Sequence, residues 1–303
     1  MNPSTVHSAP AIWYQAIRPR SLTATYVPIA LGGVIAWQDN AFNAGYFVLA
    51  LLGTLALQIA ANLFNEYFDY IKGIEAGKTH GLGMILKNDY LTPQQVLGGA
   101  VASLALGIVI GLFFVWQAGW VILAIGIAAV LVVVLYTATP YALAYIGLGE
   151  IAVFIFMGPL IVFGTYYIMA EDFSWVPFVG ALPVAAVVAA ILHANNLRDL
   201  ESDRAGGRLT LAVRLGRRFA QAEYIALTFG AHVLTVMLII LGVVPWPTLL
   251  VLVTLPETLR LCRTATSTED SAILHGVLVQ TARLHAQFGS AYVVGWALSV
   301  AFA

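Results

Sequence analysis

Cysteine is almost missing from this chain: Cys262 is the only one among 303 residues. An internal disulfide is excluded, and so is any cysteine-rich metal centre. Cys262 itself reads as an inert residue near a helix end. Charge is scarce as well. Asp, Glu, Lys and Arg together make up 10% of the residues and the net charge is −1, where soluble domains carry about 25% charged residues. No global positive field exists to recruit nucleic acid, so no nucleic-acid partner is expected and any working charge has to be local. The N-terminus lacks a basic stretch followed by a short apolar core, so no cleavable signal peptide is expected.

What the sequence has in excess is apolar length. Hydrophobic residues make up 60% and the mean hydropathy is +0.88. Stretches near 21–38, 43–68, 93–116, 119–136, 147–169, 174–197, 219–242, 245–261 and 283–302 are long enough, or nearly so, to cross a hydrocarbon core of about 30 Å as helices. The runs do not alternate, and in lipid only helices or closed barrels satisfy their backbone, so strands are not expected. All fourteen Lys and Arg residues fall in or beside segments 1–20, 69–92, 137–146, 198–218 and 262–282, whereas Asp39, Glu171 and Asp172 fall in the other connections. Basic residues collect on the cytoplasmic side. The expectation is an all-α protein of about nine transmembrane helices in the cytoplasmic membrane, with its N-terminus cytoplasmic.

Polar residues inside apolar helices cost about 2.5–3.5 kcal/mol each on insertion scales and so need a reason. Span 2 ends in Asn62, Asn65, Glu66 and Asp69, which steps of three and four place on one helical face. Span 6 ends in His193, Asn195, Asn196, Arg198, Asp199 and Asp203, with Asn195, Asp199 and Asp203 at intervals of four. Asn65/Asp69 and Asn195/Asp199 share one internal spacing, 130 residues apart, a register that a duplicated helical unit would leave. Both ends belong to even-numbered spans, so they share the cytoplasmic side and can face each other across a central pocket that opens there.

Carboxylate and amide oxygens from two helices suit hard divalent ions, which share their coordination with substrate phosphates. Lys72, Lys78, Lys87, Arg204 and Arg208 follow the two motifs, and Arg198 lies inside the second. Acids alone would suggest a cation site; acids among Arg and Lys suggest an anion bridged by metal, with a diphosphate the best fit. His193 and His285 read as satisfied packing residues, and Glu75 and Glu201 as solvated ones.

With these residues in hand, the chain resembles the UbiA superfamily of intramembrane prenyltransferases over nearly its whole length, as a single domain, 1–303. Asn65-Glu66-Tyr-Phe-Asp69 is similar to the first Asn/Asp-rich motif of that family, and Asn196-Leu-Arg-Asp199 through Asp203, Arg208 and Thr210 to the second. Trp13 and Arg18-Pro19 before span 1 also match. Within the superfamily, the stretches 195–216, 136–167 and 281–289 resemble the branch that prenylates 1,4-dihydroxy-2-naphthoate in menaquinone synthesis. Departures are Glu66 for the usual Asp, Gly73 where a third acid is common, and Arg208 for the usual Lys.

The resemblance implies Mg²⁺ held by Asn65, Asp69, Asp199 and Asp203, with Asn62 and Glu66 as further ligands, and Asp69, Asp199 and Asp203 as the catalytic acids. It implies a polyprenyl diphosphate gripped by Arg18, Lys72, Arg198 and Arg208, with pyrophosphate as leaving group. Tyr136, Tyr141, Asn195 and Asn196 would line the acceptor or shield an allylic cation through ring faces. The aromatic acceptor would attack at its carboxylate-bearing carbon and lose carbon dioxide, while the tail lies in an apolar groove open to membrane lipid. Other readings are a sister enzyme acting on 4-hydroxybenzoate or homogentisate, and a cation-coupled transporter. Transporter acids would sit near the bilayer midplane, whereas these sit at helix ends. A CDP-alcohol phosphotransferase would need an Asp-Gly-x-x-Ala-Arg signature that this sequence lacks.

Overall fold

The computed structural model describes residues 8–73, 84–139 and 142–302, the side chain of Arg20 excepted. In chain order the helices are α1 (Ala9–Ala16), α2 (Thr23–Gln38), α3 (Ala44–Ile71), α4 (Pro93–Ala118), α5 (Trp120–Leu135), α6 (Gly149–Ile155), α7 (Ile161–Ala170), α8 (Val176–Gly180), α9 (Leu182–Arg198), α10 (Leu200–Ala205), α11 (Leu211–Leu215), α12 (Arg217–Ile240), α13 (Leu255–Ser267) and α14 (Ser271–Ala301). No strand occurs among the described residues. Among the described residues, four helical runs are long and apolar enough to cross a membrane: α3, α4, α6 through α7, and α12.

Local chemistry sets the helix starts. Asn43 caps α3 by accepting from the Tyr46 amide, and Thr92 with Gln95 forms a reciprocal capping box ahead of Pro93 on α4. Each satisfies donors that a helix start leaves orphaned. Gly119, at φ 77°, separates α4 from α5 within a single residue, a backbone angle that residues bearing a Cβ resist.

Four stretches differ from the sequence reading. The expected eighth span, 245–261, is a 3₁₀ helix over Trp246–Thr254 that passes into α13 at Leu255. The expected ninth span is α14, which begins at Ser271, twelve residues before its expected start, because Asp270 caps it through the Ala272 and Ile273 amides. With α13 running to Ser267, the expected inner loop 262–282 shrinks to a short break. The sixth span is divided at Ala181 into α8 and α9. In the fifth, α6 passes into α7 through a π turn at Phe156–Leu160 that contains Pro159, which has no amide hydrogen for the helical ladder.

Packing separates central from peripheral helices. Most of α9 is buried on every face, against α6, α12 and α14, as expected of a helix whose first eleven residues, 182–192, are apolar all round. By contrast, α4 and α5 expose Leu106, Val109, Leu112, Leu123, Ile127 and Leu131. Between α7 and α14, α2 is held at close range: a Cβ on Gly32 would stand 2.6 Å from the Val162 carbonyl oxygen, and one on Gly289 would stand 2.3 Å from a Val27 methyl. Small residues allow such approaches between apolar helices.

Polar contacts gather at two ends. At one, Asp39 accepts from the Tyr166 hydroxyl, Gln117 donates to Glu171, and Trp296 Nε1 donates to Gln38. At the other lie the ends of α3 and α9, with Arg18, Tyr145 and Arg208 between them.

Candidate active site

The last turns of α3 and α9 form facing walls of one cavity of about 240 Å³. From α3 come Asn62, Asn65 and Asp69; from α9 come Asn195, Asn196 and Arg198. Arg18, Arg208 and Tyr136 complete the polar part, and Val132, Val133, Phe156 and Met157 continue it into apolar surface. Phe156 and Met157 belong to the π turn, so the break in α6–α7 shapes the wall.

The orientation of Asn62 is fixed. Its NH2 donates to the Ile17 carbonyl at 2.9 Å and to Ser21 Oγ at 3.1 Å, which leaves the side-chain oxygen as the atom available to the cavity. Asp69 accepts from the Tyr145 hydroxyl at 2.5 Å. The Tyr145 ring also lies under two cations, 4.6 Å from Lys72 Nζ and 4.8 Å from the Arg208 guanidinium carbon. Burial, then Asp69, raises the Tyr145 phenol above its ordinary range. For Arg208 burial opposes the charge, but Asp69 and Asp203 outweigh it and hold the guanidinium protonated.

On the α9 side, Asp199 and Asp203 stand one layer behind the wall. Arg198 grips Asp199 with two 2.7 Å hydrogen bonds and reaches Asn195 Oδ1 at 2.9 Å; Arg208 lies 3.4 Å from Asp203. Arg18 sits before Pro19 in a left-handed conformation, φ 55°, which is uncommon for a residue with a side chain.

Two residues depart from the roles expected of them. Glu66 is fully buried and committed to protein donors: Arg18 at 2.8 Å, and the Ile85 and Leu86 amides at 2.5 and 3.3 Å. It ties segment 84–90 to α3 and holds Arg18, rather than offering oxygens to an ion. Lys72 donates to the Thr137 and Thr139 carbonyls at 2.6 and 3.0 Å and braces the connection after α5 instead of facing the cavity. Burial, foremost, pushes its ammonium below the usual lysine range, against the pull of Asp69. Tyr141, Glu75 and Lys78 lie outside the described residues.

Sequence reasoning missed Tyr145, which lies 76 residues from its partner Asp69. It also missed a buried cluster behind the α9 wall. Glu150 Oε1 accepts from Asn196 Nδ2 at 2.7 Å and lies 3.3 Å from His193 Nδ1, which is also 3.6 Å from Glu223. His193 is buried and satisfied as expected, with both ring nitrogens engaged. His285 is equally buried and meets Thr23 through Nδ1, with Nε2 unpartnered among the described residues.

The donor chemistry fits a hard divalent ion and a diphosphate. Every candidate ligand atom on the cavity side is oxygen. Arg18 and Arg208 both line the cavity, and the Nε of each is buried with no hydrogen-bond partner among the described residues. Two guanidinium groups lining one cavity fit an anion.

Comparison with known proteins agrees with this geometry. The chain is 36% identical over 295 residues to the 1,4-dihydroxy-2-naphthoate octaprenyltransferase of Mycobacterium tuberculosis, covering 96% of each chain. It is 30% identical over 289 residues to the Bacillus subtilis enzyme of the same name, covering 95% of this chain and 93% of the relative. In fold it is similar to a UbiA homolog from Archaeoglobus fulgidus solved with DMAPP and Mg²⁺, with a TM-score of 0.63 at 17% identity over 93% of this chain and 99% of that one. Residues 26–273 match the UbiA prenyltransferase family, and the chain belongs to that family of integral membrane prenyltransferases.

Proposed function

We propose that the enzyme transfers a polyprenyl group from its diphosphate to 1,4-dihydroxy-2-naphthoate with loss of carbon dioxide, giving demethylmenaquinol, the hydroquinone form of demethylmenaquinone. The observation that carries this reading is the convergence of two Asn/Asp helix ends and two arginines on one cavity that continues into apolar wall. The names of the two bacterial relatives support the acceptor.

Asp69, Asp199 and Asp203, with Asn62 and Asn65, would hold Mg²⁺, which on binding supplies positive charge to the diphosphate oxygens. Arg198 and Arg208, held beside Asp199 and Asp203 and lining the same cavity, would be the guanidinium groups that grip the phosphates. Arg18 is already oriented by Glu66. These cations lie where charge develops as the prenyl C–O bond breaks and pyrophosphate departs with the bonding pair. The ring carbon bearing the carboxylate attacks the prenyl C1. The C–CO2 bond then breaks, and its electrons restore the aromatic ring. Tyr136 lies on the wall, with its ring suited to shield the allylic cation.

We place the cavity mouth on the cytoplasmic side of a nine-span topology, since the basic residues lie at that end. The opposite end supports the arrangement: Trp116, Trp120, Trp175 and Trp246 are all strongly exposed there, where interfacial tryptophan is favoured.

The test is a panel of dihydroxynaphthoate, 4-hydroxybenzoate and homogentisate, each offered with a prenyl diphosphate and Mg²⁺ to the purified enzyme. Prenylation of dihydroxynaphthoate with CO2 release is the expected result. Turnover of another acceptor in its place overturns the acceptor, and substrate movement across vesicles without pyrophosphate release overturns the reaction.

A further inference from the structure

The cluster behind the α9 wall has a consequence for acceptor recognition. His193 Nε2 stands 2.7 Å from the Ala220 carbonyl. A carbonyl only accepts, so Nε2 carries a hydrogen. The other ring nitrogen, Nδ1, faces Glu150 Oε1 at 3.3 Å and Glu223 Oε2 at 3.6 Å. A lone pair there would oppose two carboxylates, so a proton lies between His193 and the two acids. The group is out of water: His193 is fully buried, Glu150 is 4% exposed, and Glu150 Oε2 has no partner among the described residues.

This cluster decides which atom of Asn196 meets the cavity. Its NH2 is 2.7 Å from Glu150 Oε1, and reversing the amide would set oxygen against a carboxylate oxygen. The amide is therefore locked. Asn196 lines the cavity, and its Oδ1 makes no hydrogen bond among the described residues and is not a sealed orphan. The wall thus presents a fixed acceptor atom. Such an atom matches a hydroxyl and repels a carboxylate.

We propose that Asn196 Oδ1 accepts a hydrogen bond from a ring hydroxyl of the aromatic acceptor, and that Glu150 and His193 are positioning residues that hold the amide in that sense. This rests on the reading of a dihydroxynaphthoate acceptor and specifies how one of its hydroxyls is read. The consequence is discrimination: an acceptor lacking that hydroxyl leaves Oδ1 desolvated and unpaired, a loss of about tenfold in affinity for one neutral hydrogen bond.

The experiment measures inhibition constants of 1-hydroxy-2-naphthoate and 4-hydroxy-2-naphthoate against dihydroxynaphthoate, using purified wild type, Asn196→Leu, Glu150→Ala and Glu150→Gln. In wild type one analogue should bind about tenfold more weakly than the other. Asn196→Leu should erase that ratio, Glu150→Ala should shrink it, and Glu150→Gln should restore most of it, since its amide oxygen still accepts from Asn196. KM for the prenyl diphosphate should stay within about twofold throughout. Equal inhibition by both analogues in wild type overturns the proposal, as does an undiminished ratio in Asn196→Leu, which keeps the test decisive if Glu150→Ala does not fold. Parallel loss of affinity for acceptor and diphosphate in Glu150→Ala would reduce the cluster to a structural role. Wild type that prenylates a different phenol overturns the dihydroxynaphthoate reading alone, and the same comparison then runs with that phenol and its deoxy analogue.

Discussion

At the scale of single residues, the site is built from side chains whose second contacts fix the first. Tyr145 joins Asp69 to the two cations over its ring. Tyr145→Phe keeps the ring and removes the hydroxyl, so kcat/KM should fall on the order of tenfold, the value of one hydrogen bond to a charged group, while the protein stays folded. Steady-state kinetics beside a thermal melt check this, and an unchanged kcat/KM would remove Tyr145 from the site. Asp69→Ala should cost about 10²-fold or more in turnover, as expected when charge stabilisation at the reacting centre is lost. Residues of this kind differ in how far they show in a sequence. Asn65 with Asp69, and Asn195 with Asp199, stand out as polar four-residue steps in apolar runs. Glu66 shares that face and so resembled a ligand; its partners Ile85 and Leu86 lie nineteen and twenty residues on. Tyr145 and the Glu150–His193–Glu223 cluster left no local period, because their partners come from other helices.

At the scale of elements, hydropathy found the helices but not their interruptions. The α8–α9 break and the π turn at Phe156–Leu160 both occur inside apolar runs, and tertiary packing decides them. The early start of α14 was hidden by Ser271, His275 and Gln280, polar residues that dilute an apolar run without ending a helix. Close helix contact is a second property that composition hides. Gly32 would drive a Cβ into backbone of α7, whereas Gly98 on α4 has open space around it. Gly32→Ala should destabilise by about 1–3 kcal/mol through overpacking, and Gly98→Ala should be neutral or slightly stabilising. Thermal unfolding in detergent distinguishes the two; equal midpoints would contradict the tight α2–α7 crossing.

At the scale of the whole molecule, the basic residues cluster around the two helix ends that line the cavity. The proposed orientation predicts labelling. Asp172 and Glu201 are exposed and belong to opposite ends. With Cys262 replaced by serine, Asp172→Cys should react with a membrane-impermeant maleimide on intact cells, and Glu201→Cys only after permeabilisation; the reverse pattern would invert the topology. The account stands or falls on two facing helix ends acting as one Mg²⁺-dependent prenyl-transfer site. Its most direct test is mass spectrometry of purified wild type and Asp199→Ala, each given dihydroxynaphthoate and a prenyl diphosphate, with and without Mg²⁺. Demethylmenaquinol, or the demethylmenaquinone it gives on oxidation in air, should form only in wild type with Mg²⁺, while Asp199→Ala remains folded and inactive; most of the Mg²⁺-dependent product surviving in Asp199→Ala would contradict the account.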